Sequence, residues 1–199
     1  MKAAVLSGVL LIAMGSVYSE EKAPEPIRMN QIQVIGTHNS YHVRPDAQLL
    51  SLLRAIVPES EGWDYTHAPL DVQLERGVRS FELDLFLYPD GIQVFHVPHY
   101  DQGSTCPLFV ECLQTVRAWS KANPGHVPIT FLMEIKEELV ALSTTPLLDL
   151  NESALLGIDA EIRSVFSPDE LFSPDDLRGE AATLEEAVTQ QGWPPLDEV

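Results

Sequence analysis

Two apolar segments of this chain contain acidic residues at positions that a β-strand would bury. In the segment 78–87 the side chains alternate, so Glu82 and Asp84 share the face opposite to its aliphatic side chains. The segment 128–135 is apolar, rich in β-forming residues, and contains Glu134. Because a buried carboxylate is costly unless it is paired or bound to a cation, these segments predict strands that converge on a polar site.

The order of the remaining patterns predicts an α/β fold. Strands are predicted at 31–36, 78–87, 92–97 and 128–135, and helices at 46–57, 69–76, 108–123 and 151–163. This order suits a mainly parallel, barrel-like arrangement. A complete TIM-type (β/α)8 barrel needs about 250 residues, whereas the chain has 199. We therefore expect residues 31–199 to form the N-terminal half of such a barrel.

The N-terminus has the layout of a secretory signal peptide. Lys2 precedes an apolar run from Ala3 to Met14, and small residues follow. We expect residues 1–19 to be a cleavable signal, residues 20–30 to be a linker, and the protein to be secreted or periplasmic. In an oxidising compartment Cys106 and Cys112 are expected to form a short-loop disulfide, the alternative being two free buried thiols.

The formal net charge of −18 constrains the partners. It argues against non-specific binding of nucleic acid, which requires a basic surface, and it provides no general attraction to anionic membranes. The sequence shows no obligate protein partner.

Polar residues cluster where the predicted strands end. Asn39, Glu82, Asp84 and Glu134 would supply oxygen atoms only, which suits a hard cation such as Ca²⁺ or Mg²⁺. His38 and His96 are then available for acid–base chemistry. A general acid and a general base acting together suit the cleavage of a phosphodiester.

Four motifs in register resemble the catalytic X region of the phosphoinositide-specific phospholipases C, and most closely the calcium-dependent secreted bacterial branch. The resemblance covers about residues 31–136 and rests on Gly36-Thr37-His38-Asn39-Ser40-Tyr41, Arg79-Ser80-Phe81-Glu82-Leu83-Asp84, Phe95-His96 and Phe131-Leu132-Met133-Glu134. It implies that His38 and His96 are catalytic and act at the phosphate. It also implies that Asn39, Glu82, Asp84 and Glu134 bind Ca²⁺.

The resemblance also implies a reaction. The inositol 2-hydroxyl of phosphatidylinositol, presented at a membrane surface, would attack phosphorus with Glu82 or Glu134 as its base. Diacylglycerol would leave, and an inositol cyclic phosphate would result, or an inositol phosphate once water opens the ring. Related metal-independent enzymes resemble this pattern but carry an arginine where this chain has Asp84, so Asp84 favours a true cation site.

Two other functions are open. The first is a glycerophosphodiester phosphodiesterase, which would use a similar barrel. Enzymes of that class usually have a motif similar to His-Arg-Gly in the first loop, where this chain has His38-Asn39-Ser40. A non-catalytic binding module on the same fold is the second alternative. His42 is expected to support the site or lie at the surface, and Lys136 to reach either a substrate phosphate or a carboxylate.

Overall fold

The computed structural model describes residues 25–137 and 146–199. The strands are β1 (Ile35–Thr37), β2 (Val78–Tyr88), β3 (Gly91–Val94) and β4 (Thr130–Ile135). The α-helices are α1 (Ala47–Leu53), α2 (Leu70–Glu75), α3 (Phe109–Ala122), α4 (Glu152–Val165), α5 (Pro174–Arg178) and α6 (Leu184–Gln190). Short 3₁₀ helices lie at Met29–Gln31, Pro58–Trp63, Pro168–Glu170 and Leu196–Glu198.

Strand β2 is the centre of the sheet. It pairs in parallel with β1 and with β4, and it forms an antiparallel hairpin with β3. Because residues 80 and 85 of β2 each have a partner on both sides, β1 and β3 share one edge of β2 and β4 occupies the other. The expected α/β class with a mainly parallel sheet is therefore confirmed.

The hydrophobic core covers one face of β2 and leaves its other face available for polar side chains. Alternating side chains of β2 form a continuous buried cluster with helices α2, α3 and α4: Phe81, Leu83, Leu85, Leu87, Leu70, Leu74, Phe109, Leu113, Val116 and Ile158. Helix α3 packs between α2 and α4. Since successive side chains of a strand point to opposite faces, Glu82 and Asp84 project away from these helices.

Three predicted elements differ in their bounds from the expected ones. The first strand begins at Ile35 rather than at residue 31 because Met29–Gln31 forms a 3₁₀ helix. Helix α1 begins after Asp46, whose side chain accepts hydrogen bonds from the backbone N–H groups of Gln48 and Leu49, and ends at Leu53, before the turn that leads to Pro58. Strand β3 ends at Val94, which leaves His96 in the following loop.

The expected disulfide is present between Cys106 and Cys112. It joins the loop that follows β3 to the first turn of α3. The predicted signal peptide lies outside the described residues. Residues 27–29 of the predicted linker lie against the other end of the chain, since Met29 N donates to Pro194 O and Leu196 N donates to Ile27 O. Within the described ranges no helix is both long enough and apolar enough to cross a membrane.

Candidate active site

Three of the predicted metal ligands come together across strands β2 and β4. Asp84 and Glu134 are direct partners in the parallel register. One carboxylate oxygen from each of Glu82, Asp84 and Glu134 lies within 4.8 Å of the others. Glu82 and Asp84 are only 7% and 1% exposed, whereas the Glu134 side chain is 56% exposed. Two carboxylates of the group are therefore buried, and the third, Glu134, is accessible to solvent.

Glu82 is buried beside two other carboxylates, a setting that disfavours its ionised form. Burial, together with the neighbouring charges of Asp84 and Glu134, raises the pKa of Glu82 to about 7, although a backbone N–H from Asn39 acts in the opposite direction. Oε2 of Glu82 accepts that N–H at 2.6 Å, while the buried Oε1 has no hydrogen-bond partner. A carboxylate oxygen this buried is costly without a partner. In this cluster two buried oxygens, Glu82 Oε1 and Asp84 Oδ1, accept no hydrogen bond. Such a set of oxygen donors fits Ca²⁺, which prefers oxygen ligands.

Asn39 joins this group through its backbone and side chain. It has a left-handed backbone with φ of 47°, a conformation that asparagine tolerates better than most residues. Its loop is fastened to β2, because Ser40 N donates to Glu82 O and Glu82 N donates to Ser40 Oγ, both at 3.0 Å. The structure thus brings all four predicted metal residues into one region.

Tyr41 connects two of these residues. Its hydroxyl donates to Asp84 Oδ2 at 2.9 Å and lies 3.2 Å from Asn39 Oδ1. Burial and the charge of Asp84 raise the pKa of Tyr41 far above its usual range, so this hydroxyl stays protonated and acts as a donor. Tyr41 is completely buried. It therefore restrains the side chains of Asp84 and Asn39, two of the predicted metal ligands.

The two predicted catalytic histidines line one cleft of about 600 Å³. His38 is exposed, follows β1, and precedes Asn39 directly. His96 lies in the loop after β3 with its ring against Trp63, at 5.5 Å between ring centroids. Trp63 and Tyr65 form a second, aromatic wall of this cleft. The cleft, which His67 also lines, thus combines three histidines, Asn39 and aromatic surface.

A buried carboxylate that the sequence did not reveal supports His96. His96 Nδ1 lies 2.8 Å from Oδ2 of Asp101, a residue with no exposed surface. Burial alone would raise the pKa of Asp101, but hydrogen bonds from His42 and His96 outweigh it and lower that pKa. Because an ionised carboxylate only accepts hydrogen bonds, we assign the proton of His96 to Nδ1, which leaves Nε2 as the second functional nitrogen.

His42 completes this network. It is fully buried rather than at the surface, and its Nε2 lies 2.9 and 2.8 Å from the two oxygens of Asp101. The ring of Tyr65 packs against it at 4.3 Å between centroids. Of the two roles expected for His42, the surface role is therefore wrong and the supporting role is observed.

Sequence reasoning missed Asp101, Tyr41 and Tyr65 as site residues. Asp101 lies five residues after His96 in an irregular loop, where no periodic pattern shows the direction of a side chain. The sequence predicts that Lys136 reaches either a substrate phosphate or a carboxylate. In the structure its Nζ lies 2.6 Å from Glu134 Oε1 and 3.2 Å from Asp84 Oδ1.

Buried carboxylates beside two histidines, on an α/β sheet, are typical of a metal-dependent hydrolase. The comparison with protein families specifies the class. The chain belongs to the Ca²⁺-dependent phosphoinositide phospholipase C family, whose model matches residues 27–91 and 87–199.

Solved structures show the same fold. A Ca²⁺-dependent phosphatidylinositol-specific phospholipase C from Streptomyces antibioticus is 26% identical, with a TM-score of 0.55 over 83% of this chain and 49% of its own. A calcium-dependent phosphoinositol-specific phospholipase C from a Gram-negative Pseudomonas species is 22% identical, with a TM-score of 0.55 over 83% and 52% of the two chains. The present chain thus spans about half the length of these relatives. No curated protein matches it.

Proposed function

We propose that this chain carries the catalytic half of a calcium-dependent phospholipase C. Its substrate would be phosphatidylinositol or a related inositol phosphodiester, cleaved to diacylglycerol and an inositol phosphate. The observation that carries the proposal is the buried Oε1 of Glu82, which accepts no hydrogen bond, within a cluster of three carboxylates. Asn39 links this cluster to the cleft, because its N–H donates to Glu82 Oε2 and it lines the cleft together with His38 and His96. The family membership supports this reaction over a glycerophosphodiester phosphodiesterase.

Each part of the chain would have a defined task. Asn39, Glu82, Asp84 and Glu134 would hold Ca²⁺, which when bound offsets charge on the phosphate and lowers the pKa of the attacking hydroxyl. His38 would donate a hydrogen bond to the phosphate from the cleft wall. His96 would pass a proton from Nε2 to the departing glycerol oxygen, while Asp101 stabilises its charged form through Nδ1. Glu82 or Glu134 would accept the proton of the hydroxyl.

We also propose that the three parallel strands β1, β2 and β4 form part of a (β/α)8 barrel whose interior face carries Glu82 and Asp84, with the antiparallel β3 as an addition at the edge of β2. The parallel pairing of β1 and β4 with β2, and the location of the packed helices behind one face, support this arrangement. Secretion is proposed with it. The disulfide between Cys106 and Cys112 supports an oxidising compartment.

Hydrolysis of phosphatidylinositol vesicles by the purified protein tests the activity. We expect turnover with calcium and its loss in excess EGTA, followed by recovery when calcium is restored. His38→Ala and His96→Ala should each abolish most turnover while circular dichroism remains unchanged. Undiminished turnover in EGTA would contradict the metal assignment. Calcium binding measured by calorimetry without any turnover would favour the non-catalytic binding module.

A further inference from the structure

Lys136 occupies an unusual position directly after β4. Its backbone N–H donates to Leu85 O at 2.9 Å, so its main chain is held by the sheet. Its ammonium group contacts Glu134 Oε1 at 2.6 Å and Asp84 Oδ1 at 3.2 Å. These contacts lie on two of the three carboxylates that form the predicted calcium site. The side chain is 25% exposed, so it has a path to solvent.

An ammonium group and a calcium ion would occupy the same space next to these carboxylate oxygens. Calcium binds carboxylate oxygens at about 2.3–2.6 Å, which is the separation between Nζ and Glu134 Oε1. Two cations in contact with the same carboxylate pair would repel each other strongly at this distance. The backbone of Lys136 cannot retreat, but its flexible four-carbon stem can rotate toward solvent.

We propose that Lys136 is an internal counter-ion that competes with calcium for Asp84 and Glu134. Calcium binding displaces the ammonium group from these two oxygens, and the competition sets the calcium affinity of the site. The buried Glu82, which Lys136 does not contact in the described structure, remains the anchor for the metal. This inference rests on the proposed function only in taking the carboxylate cluster as the calcium site.

Calorimetric titration with CaCl₂ tests the competition. Lys136→Met removes the ammonium group while preserving much of the stem, and we expect its Kd for calcium to be about tenfold lower than that of the wild type. Lys136→Arg, which keeps the charge, should not bind calcium more tightly than the wild type. Lys121→Met is the matched control, because Lys121 pairs with Glu170 outside the carboxylate cluster. An unchanged or higher Kd for Lys136→Met would overturn the proposal.

Amine labelling tests the displacement itself. The rate at which acetic anhydride modifies Lys136, measured by peptide mass spectrometry, should rise several-fold in saturating calcium, whereas the rate at Lys121 should not change. A constant or lower rate at Lys136 would show that the ammonium group stays in place. If neither the wild type nor Lys136→Met binds calcium, the calcium site is wrong. If both bind with equal Kd, only the competition fails.

Discussion

Nδ1 of His96 lies 2.8 Å from Oδ2 of Asp101, and the same carboxylate binds Nε2 of the buried His42. A catalytic histidine on a mobile side chain samples many orientations, whereas one held by a buried carboxylate presents its other nitrogen in one direction. The carboxylate also stabilises the charged imidazolium. The loop after β3 contains both His96 and Asp101, and the loop after β1 contains His42, which binds Asp101.

Asp101→Asn should therefore lower kcat by about 10²-fold, because the amide neither fixes the tautomer of His96 nor stabilises its charge. KM should change little, and the pH dependence of kcat should change because the buried carboxylate beside His96 Nδ1 has been replaced by an amide. Steady-state kinetics from pH 5 to 8 measure both effects. Asp90→Asn, in the exposed turn before β3, is the matched control. A lower kcat with an unchanged pH profile would indicate only a structural role for Asp101.

Tyr41→Phe should weaken calcium binding by roughly three- to tenfold, the effect of losing one hydrogen bond to a charged group. The substitution removes the only proton that this side chain offers to Asp84 Oδ2 and Asn39 Oδ1, while the ring keeps filling its buried space. Calorimetric titration with CaCl₂ measures the change. Tyr100→Phe serves as a control in the neighbouring loop. Equal calcium affinity in wild type and Tyr41→Phe would show that the hydroxyl does not orient the ligands.

The stability of the protein in EGTA should fall as the pH rises from about 4.5 to about 7. The pKa of Glu82 is raised from 4.5 to about 7 in the folded chain, so the folded state binds a proton that the unfolded state has released, and folding is favoured at the acidic end of this window. Glu82→Gln should remove this dependence and raise the free energy of unfolding at pH 7.5 by roughly 2 kcal/mol. Urea denaturation at several pH values measures it.

Glu59→Gln, an exposed position in a 3₁₀ helix, is the control for the Glu82 substitution. It should leave the pH dependence as it is in the wild type. If Glu82→Gln keeps the wild-type slope between pH 4.5 and 7, the unpaired carboxylate is not the source of the effect, and the argument for a cation at Glu82 weakens with it.

Gly103→Ala should destabilise the protein by about 1–3 kcal/mol, the usual cost of overpacking. A Cβ at residue 103 would collide with the backbone carbonyl of Val43. At this point the loop after β1 meets the loop after β3, since Val43 N donates to Gly103 O at 3.0 Å and Thr105 N donates to Tyr41 O at 2.7 Å. Thermal unfolding by differential scanning fluorimetry, with urea titration for the free energy, measures the loss.

Gly157→Ala is the matched control for that substitution. Gly157 lies within α4 and a Cβ there meets no atom within 4 Å, so alanine should stabilise the helix by about 0.5–1 kcal/mol. The two glycine substitutions should therefore have opposite signs. A Gly103→Ala variant as stable as the wild type would show that the loops can separate without loss.

Much of the site could be predicted from the sequence because the alternation of side chains along a strand involves only residues that are close in the chain. The alternation along β2 placed Glu82 and Asp84 on one face, and the apolar setting of Glu134 marked it as a residue that needs a partner. The start of α4 was also readable, because Asn151 is a residue type that caps helices and a cap depends on atoms three residues away. The antiparallel hairpin of β3 and the early end of α1 were less readable, since they depend on turn geometry.

The sequence by itself determined the class of fold, the residue types of the site and the strands that carry them. Only the tertiary structure decided that Asp84 and Glu134 are register partners, that Asp101 lies under His96, and that Lys136 contacts two of the carboxylates. The physical reason is the range of the interactions. A strand pattern repeats every second residue, whereas His42 and Asp101 are 59 residues apart and meet because loop backbones pair around Gly103.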